Sequence, residues 1–404
     1  MLKFTTAGES HGQALISIVE GAPAGLPLVA ADVNADLVRR QQGYGRGRRM
    51  LIETDSVEFL AGVRAGFTIG SPIAMMIRNR DWENWREIMD AAPDADTIPG
   101  AHSERKRAVT RPRPGHADLA GMLKYDREDA RDVLERASAR ETTARVAAGA
   151  ICRKLLGQFG IRIGSHIVQL GGIDAVLPDE LPVDINAVSD ASSVRTLDPS
   201  AEQAIVARID EAKRSGDTLG GVCEVVCTGL PIGIGSHVSW DRKLDGRIGA
   251  AMMSIPAVKG VGIGIGFEAA RNPGSQVHDE ILAGGESART ANLRRRTNRA
   301  GGLEGGMTTG EPLVVRVAMK PISTLMRPLA TVEMKTGEAA SAVAERSDVT
   351  AVPAMGVIAE AMLAFVVAQA MIEKFGGDSL REMRRNFDGY VDQIAARREP
   401  GSSV

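Results

Sequence analysis

Cysteine is scarce: Cys152, Cys223 and Cys227 are the only three in 404 residues. So odd and sparse a set argues against a disulfide framework and for a reducing compartment, the cytoplasm. Aromatic residues make up 3% of the chain, which rules out stacking as its main recognition device. Charge of either sign is nearly balanced, 49 Lys and Arg against 51 Asp and Glu for a net charge of -2, so nothing draws the whole chain to nucleic acid or to an anionic membrane. Any anion site is local. The six histidines are scattered, without an H-E-x-x-H or a close Cys/His set, and this disfavours metal catalysis. On a strand, Cys223 and Cys227 stand roughly 13 Å apart, too far to share an ion, and both read as core. Long uninterrupted apolar runs are missing too, and MLKFTTAGESHG has no secretory h-region. AMGVIAEAMLAFVVAQAMIEKF is apolar nearly all round but carries Glu360, which makes it a buried core or interface helix. No Walker or Rossmann motif occurs, since GVGIGIGF lacks the G-x-G-x-x-G spacing.

Glycine, by contrast, is abundant at 45 residues, which implies many tight turns and close approaches of backbone to a ligand. ALISIVEG reads as an early strand, followed by a helix from about Asp32 to Gln42. LIETDSVEFLAGV and SPIAMMIRN alternate like strands. The stretch from Asp126 to Phe159 is rich in helix formers, as one helix or as two broken near Ser138. SHIVQLGGI, GVCEVVCTGLPIGIGS and PLVVRVA read as strands and PSAEQAIVARIDEAKRSG as an amphipathic helix. ALISIVEGAPAGLPL and VCEVVCTGLPIGIG are alike, so an internal duplication is conceivable. Residues 90 to 108 and 280 to 299 read as surface loops. One catalytic domain is expected over 1–398, with a disordered tail at 399–404.

Five constellations carry chemistry. Gly8-Glu9-Ser10-His11-Gly12 matches G-x-S-x-G formally, but a nucleophile elbow needs a strand before it and a helix after it, and here strand-like ALISIVEG follows. A simple glycine turn with a solvated His11 is the plainer reading. Arg39-Arg40-Gln41-Gln42-Gly43-Tyr44-Gly45-Arg46-Gly47-Arg48-Arg49 combines guanidinium forks with exposed backbone N–H groups, which suits a small phosphate or carboxylate. An RGG-like RNA segment and a solvated basic loop are its alternatives. In Arg111-Pro112-Arg113-Pro114-Gly115-His116-Ala117-Asp118 two prolines stiffen the backbone that presents Arg113 and His116, although His116 beside Asp118 also makes sense as a capped turn. Ser138 and Arg140 flank Ala139 inside a helical pattern, either to admit a flat ligand or merely as a salt-bridged helix. Ser254 to Gly260, Asn298 to Thr308, Lys320-Pro321-Ile322-Ser323-Thr324 and Arg346-Ser347-Asp348 add glycine pairs and a compact turn suited to a phosphate-bearing cofactor.

Taken in order, GESHGQALISIVEGAP, RRQQGYGRGRR, TRPRPGHAD, ERASARETTARVAAGA, NRAGGLEGG, MKPIST and RSDVTAVPA resemble the chorismate synthase family over nearly the whole chain. The resemblance implies an α/β sandwich of mostly antiparallel sheets covered by helices, assembled as a homotetramer. It implies anti-1,4-elimination of phosphate from 5-enolpyruvylshikimate 3-phosphate, the last step to chorismate in the shikimate pathway, with reduced FMN. Another flavin-associated lyase acting on a phosphorylated anion is the alternative. By the same resemblance Arg40, Arg46, Arg49, Arg113 and Arg140 hold the substrate's anions with Ser10 beside them, His11 helps the phosphate leave, His116 protonates or polarises the reduced flavin, and Asp348 relays a proton. FMN contacts fall to Ser138, Ala139, Arg140, Pro256, Ala257, Gly305, Lys320, Pro321, Ile322, Ser323, Thr324 and Arg346. Arg40 and Arg46 are also assigned in the family to a nicotinamide nucleotide, NADPH serving only as reductant. The chain departs from the family's common R-H-D-P-C at Arg346-Ser347-Asp348-Val349-Thr350, and Arg294, Arg295 and Arg296 sit in a stretch longer than usual. With no dinucleotide fingerprint, an external flavin reductase is expected.

Overall fold

The computed structural model describes residues 1–47, 54–91, 108–343 and 348–396. Two sheets carry the fold. One orders its strands Lys3–Ala7, Ala14–Glu20, Ile73–Arg78, Glu58–Ala61, and the other Val258–Ile263, Leu313–Met319, Gly221–Thr228, Arg162–Leu170, Ile173–Asp174. All neighbours in both sheets pair antiparallel, as expected. Period-two burial explains the strands: Leu15, Ser17 and Val19 turn inward from one, and Leu313, Val315, Val317 and Met319 from another. Two long helices lie between the sheets. Val352–Phe375 packs on Arg162–Leu170 and Gly221–Thr228, Thr142–Gly157 packs on Ala14–Glu20, and the two helices pack on each other and on Ala30–Gln41.

Val352–Phe375 starts with Pro353 in its first turn, ends at Gly376 and is buried on nearly all sides. It is long and apolar enough to cross a membrane, yet most of it is enclosed by the rest of the chain. Its approach to Thr142–Gly157 depends on Gly149, where an added Cβ would sit 2.3 Å from the Ala361 side chain. Glu360, fully buried, accepts from Arg39 Nη1 and Nη2 at 2.9 and 3.0 Å, Arg195 Nη2 at 3.1 Å, Ser165 Oγ at 2.5 Å and Asn186 Nδ2 at 3.2 Å, with Arg153 in closer contact. Burial pushes its carboxyl up, but the arginines outweigh this and hold it well below the ordinary carboxylate range.

The stretch read as one or two helices from Asp126 to Phe159 is broken. Arg131–Leu134 is followed by the short turn Ala139–Glu141, capped by Ser138, and then Thr142–Gly157. Ser138 therefore precedes a turn instead of lying inside a helix; its hydroxyl accepts the Arg140 N–H at 3.3 Å. Residues 280 to 299 are not simply a loop, because Ile281–Ala283 pairs with Leu293–Arg295. There Arg295 meets Glu304 at 2.7 Å and Arg296 meets Glu280 at 2.7 Å, so both are engaged in local ion pairs. Cys152, Cys223 and Cys227 are buried and free, as core residues. Most of the 90 to 108 stretch and the tail from Glu399 lie outside the described residues.

Candidate active site

The segment Gly8 to Gly12 joins two adjacent antiparallel strands, so no helix follows Ser10 and the hydrolase elbow is absent. Gly8 has φ +106, and a Cβ there would lie 2.4 Å from the Ala14 carbonyl oxygen; only glycine turns this corner without strain. The Ser10 N–H donates to the Glu135 carbonyl at 3.0 Å, and the Ser138 hydroxyl lies 3.2 Å from that of Ser10. His11 is clamped by one carboxylate: Glu135 receives its backbone N–H at 2.8 Å and lies 2.8 and 3.0 Å from its Nδ1. Burial raises the Glu135 carboxyl, but the His11 contacts outweigh that and keep it below its ordinary value. With Nδ1 facing Glu135, the nitrogen on the other side of the ring, Nε2, is the one presented for proton transfer.

Arg40 leaves the last turn of Ala30–Gln41 and is buried, reaching Thr142 Oγ1 through Nε at 3.1 Å and the Ala139 carbonyl through Nη2 at 3.1 Å. Its Nη1 has no hydrogen-bond partner among the described residues, and its ion-pair contact is Asp55 at 3.5 Å. Arg140, also buried, donates to Asp55 at 2.5 Å and to Asn79 Oδ1 at 3.0 Å. Arg46 pairs with Asp348 at 3.2 Å, and the Gly47 N–H donates to the same carboxylate at 2.6 Å. Burial drives the Arg40 guanidinium down to about 9, Asp55 resists, and Arg46 and Arg140 push it further the same way. Three arginines against Asp55 and Asp348 leave one net positive charge with a buried donor to spare, a setting that favours an incoming anion.

The proline-flanked turn builds a third group. Asp118 lies 2.5 Å from His116 Nδ1 and accepts the Arg113 N–H and Nε at 3.0 and 2.8 Å. Its burial raises the carboxyl, but the bonds from His116 and Arg113 hold it well below the ordinary range. Lys320 Nζ donates to the Gly115 carbonyl at 2.5 Å, the Lys320 N–H donates to Ala257 C=O at 3.0 Å, and a Cβ at Gly115 would lie 3.6 Å from that of Ser323. Thr331 Oγ1 donates to the Pro112 carbonyl at 2.6 Å.

The chain thus unites Ser10 and His11 with Ser138, Ala139, Arg140, Arg40 and, through Asp348, Arg46. It also unites Arg113 and His116 with Ala257 and the 320–324 turn, which includes Pro321, Ile322 and Thr324. Pro256 adjoins Ala257. Gly305 lies at the turn of the Leu303–Thr308 hairpin with His237 nearest to the position of a Cβ, at 4.0 Å; among the described residues no hydrogen bond joins it to either group. Arg49 and Arg346 lie outside the described residues. Arg39, part of the same basic run, turns to Glu360 instead. Sequence reasoning missed Asp55, Asn79, Trp85 and the role of Glu135 as the partner of His11. Asn79 ties the parts together, its Nδ2 donating to the Gly12 carbonyl at 2.6 Å and to that of Glu9 at 3.2 Å while Oδ1 holds Arg140.

Comparison with known proteins places this geometry in context. A sequence model described as Chorismate synthase matches residues 2–372. A chorismate synthase of Symbiobacterium thermophilum is 58% identical over 398 residues, covering 98% of this chain and 100% of that protein. One from Geobacter metallireducens is 53% identical over 399 residues, covering 98% and 99%. A solved structure titled as the crystal structure of chorismate synthase superposes with a TM-score of 0.77 at 43% identity, covering 98% of each chain.

Proposed function

Because the chain belongs to the chorismate synthase family, we propose that its arginine cluster holds the phosphate and carboxylates of 5-enolpyruvylshikimate 3-phosphate and that its two histidines manage the protons of the elimination. The reaction itself is that of the family: a carbon–oxygen lyase of the shikimate pathway forms chorismate by anti-1,4-elimination of phosphate and a ring hydrogen, with a reduced flavin. The observation that carries the site reading is Arg40, a buried guanidinium whose Nη1 lacks a hydrogen-bond partner among the described residues, beside Arg140, Arg46 and His11. Arg40, Arg46, Arg49, Arg113 and Arg140 bind and orient the anions, with Ser10 as a hydrogen-bonding group. His11, held through Nδ1, donates from Nε2 to the bridging oxygen as the C–O bond breaks.

Reduced FMN is the proposed cofactor. Lys320 engages one carbonyl, leaving two of its three donors for a phosphate-bearing group. Lys320 to Thr324, Pro256, Ala257, Gly305, Arg346 and Ser138 to Arg140 hold it. When bound, it supplies electron density to the electron-deficient ring and takes up the departing hydrogen. Asp118 fixes the orientation of His116 beside that group, and Asp348, positioned by Arg46 and Gly47, accepts a proton.

The chain acts as one catalytic unit over 1–398, a cytoplasmic homotetramer that needs neither membrane nor nucleic acid. Family resemblance supports the tetramer, and three buried free thiols agree with a reducing compartment. The missing dinucleotide fingerprint supports an external reductase, leaving NADPH at most a phosphate contact with Arg40 and Arg46. Purified protein, substrate and chemically reduced FMN under anaerobic conditions are expected to give chorismate, whereas oxidised FMN with NADPH gives little. No chorismate in the first mixture overturns the function, and equal yields overturn the monofunctional assignment.

A further inference from the structure

His11 is gripped in two directions. Glu135 holds the edge of its ring through Nδ1, which fixes one side but leaves the imidazole free to rock about the Nδ1–carboxylate axis. The face of the ring is covered by Trp85, stacked at 3.8 Å between centroids with the planes 24° apart. Trp85 is itself fixed. Its Nε1–H donates to Asp81 at 2.8 Å, and the Arg131 guanidinium lies 5.5 Å from its ring centroid while reaching Glu135 at 4.0 Å. The helix that carries it, Trp82–Met89, buries none of its residues, so a wish to fill the core does not explain the stack. That helix starts where the Trp82 N–H meets the Asn79 carbonyl at 3.3 Å, and the Asn79 side chain holds both the 9–12 segment and Arg140.

We propose that Trp85 is a positioning residue for the elimination, closing the face of His11 so that Nε2 stays aimed at the leaving oxygen. This rests on the role of His11 proposed above. The stack limits the ring to one tilt, and Asn79 transmits the same frame to the arginine that grips the substrate. Misplacement of a reacting group by about 1 Å costs on the order of a hundredfold in rate.

Three measurements test it. In the Trp82→Phe, Trp240→Phe background, emission from Trp85 is expected to rise when His11→Gln removes the stacked imidazole, and unchanged emission overturns the stack. Trp85→Leu is expected to lower kcat by about ten- to a hundredfold, with KM for substrate and affinity for reduced FMN within about twofold, and Trp85→Phe to restore most of the rate. Unchanged kcat in Trp85→Leu overturns the proposal. Finally, Trp85→Leu added to His11→Ala is expected to cost nothing further, because residues that act as a unit are not additive. An equal loss in both backgrounds means that Trp85 acts on the fold and not through His11. A fully active His11→Ala enzyme refutes the assignment of His11 instead, an outcome the emission measurement separates from loss of the stack.

Discussion

Replacing Arg40 by lysine keeps a positive charge and removes the fork. In the native chain Nε and Nη2 are spent on Thr142 and Ala139, while Nη1 points toward Asp55 at 3.5 Å without a hydrogen bond. A lysine ammonium cannot hold that pair of anchors and a ligand in one plane. A charge-assisted bond to a desolvated phosphate or carboxylate contributes about 1.5 to 3 kcal/mol, so losing one weakens substrate binding roughly ten- to 150-fold. Calorimetric titration of the anaerobic enzyme with substrate measures it, and the melting temperature shows whether the fold survives. The same residue predicts a pH limb. Its value in the fold, about 9, lies well below the ordinary guanidinium value, so the charged form costs the unliganded fold stability below about 9, and that cost is relieved as pH rises from there toward the ordinary value. Substrate affinity is accordingly expected to fall as pH rises past about 9. Affinity within twofold of wild type in Arg40→Lys, with no loss at high pH, refutes an anion role for Arg40.

His11→Ala and His116→Ala are each expected to lower turnover by about two to four decades with the fold intact, as for a positioned proton donor or acceptor; rates near wild type reduce either histidine to packing. Glu360→Leu leaves buried Arg195 and half-buried Arg39 and Arg153 without their shared carboxylate, a loss of about 3 to 5 kcal/mol that chemical denaturation detects, and unchanged stability removes the network from the account. Asp118, lowered below its ordinary 3.8, contributes stability that is fully present above that value and is lost as pH falls through the lowered one. The stability gap between wild type and Asp118→Asn is therefore expected to shrink in acid, and a gap that stays constant as the pH falls below the ordinary carboxylate range contradicts the pairing. A serine-directed phosphonate is expected to leave the enzyme active, since Ser10 is proposed as a hydrogen-bonding group and not as a nucleophile; covalent labelling of Ser10 refutes this.

What the sequence made legible followed the reach of its patterns. Alternation announced the strands, and the apolar spacing of PSAEQAIVARIDEAKRSG announced the Pro199–Ser215 helix, because both patterns are local. His116 and Asp118 were suspected as neighbours, being two residues apart. Glu360 marked its helix as buried, yet its partners could not be read, since Arg39, Arg153 and Arg195 lie 321, 207 and 165 residues away. Asp55 was hidden within a strand-like alternation, and only the fold brings it to Arg140. The clamp on His11 was equally invisible, because Glu135 is 124 residues distant and Trp85 sits on a surface helix without a motif. Arg39 and Arg40 form one basic pair in the sequence, but successive positions of a helix point about 100° apart, which sends one into the core network and the other into the site.

The central claim is elimination at the arginine site, and single-turnover mixing tests it most directly. Enzyme loaded with chemically reduced FMN is mixed anaerobically with a limiting amount of 5-enolpyruvylshikimate 3-phosphate, and phosphate and chorismate are measured together. The account predicts equal amounts of both, neither with oxidised FMN alone, and a proportionate slowing of both in His11→Ala. Phosphate released without chorismate, or chorismate formed at an unchanged rate by the His11→Ala enzyme, would contradict it.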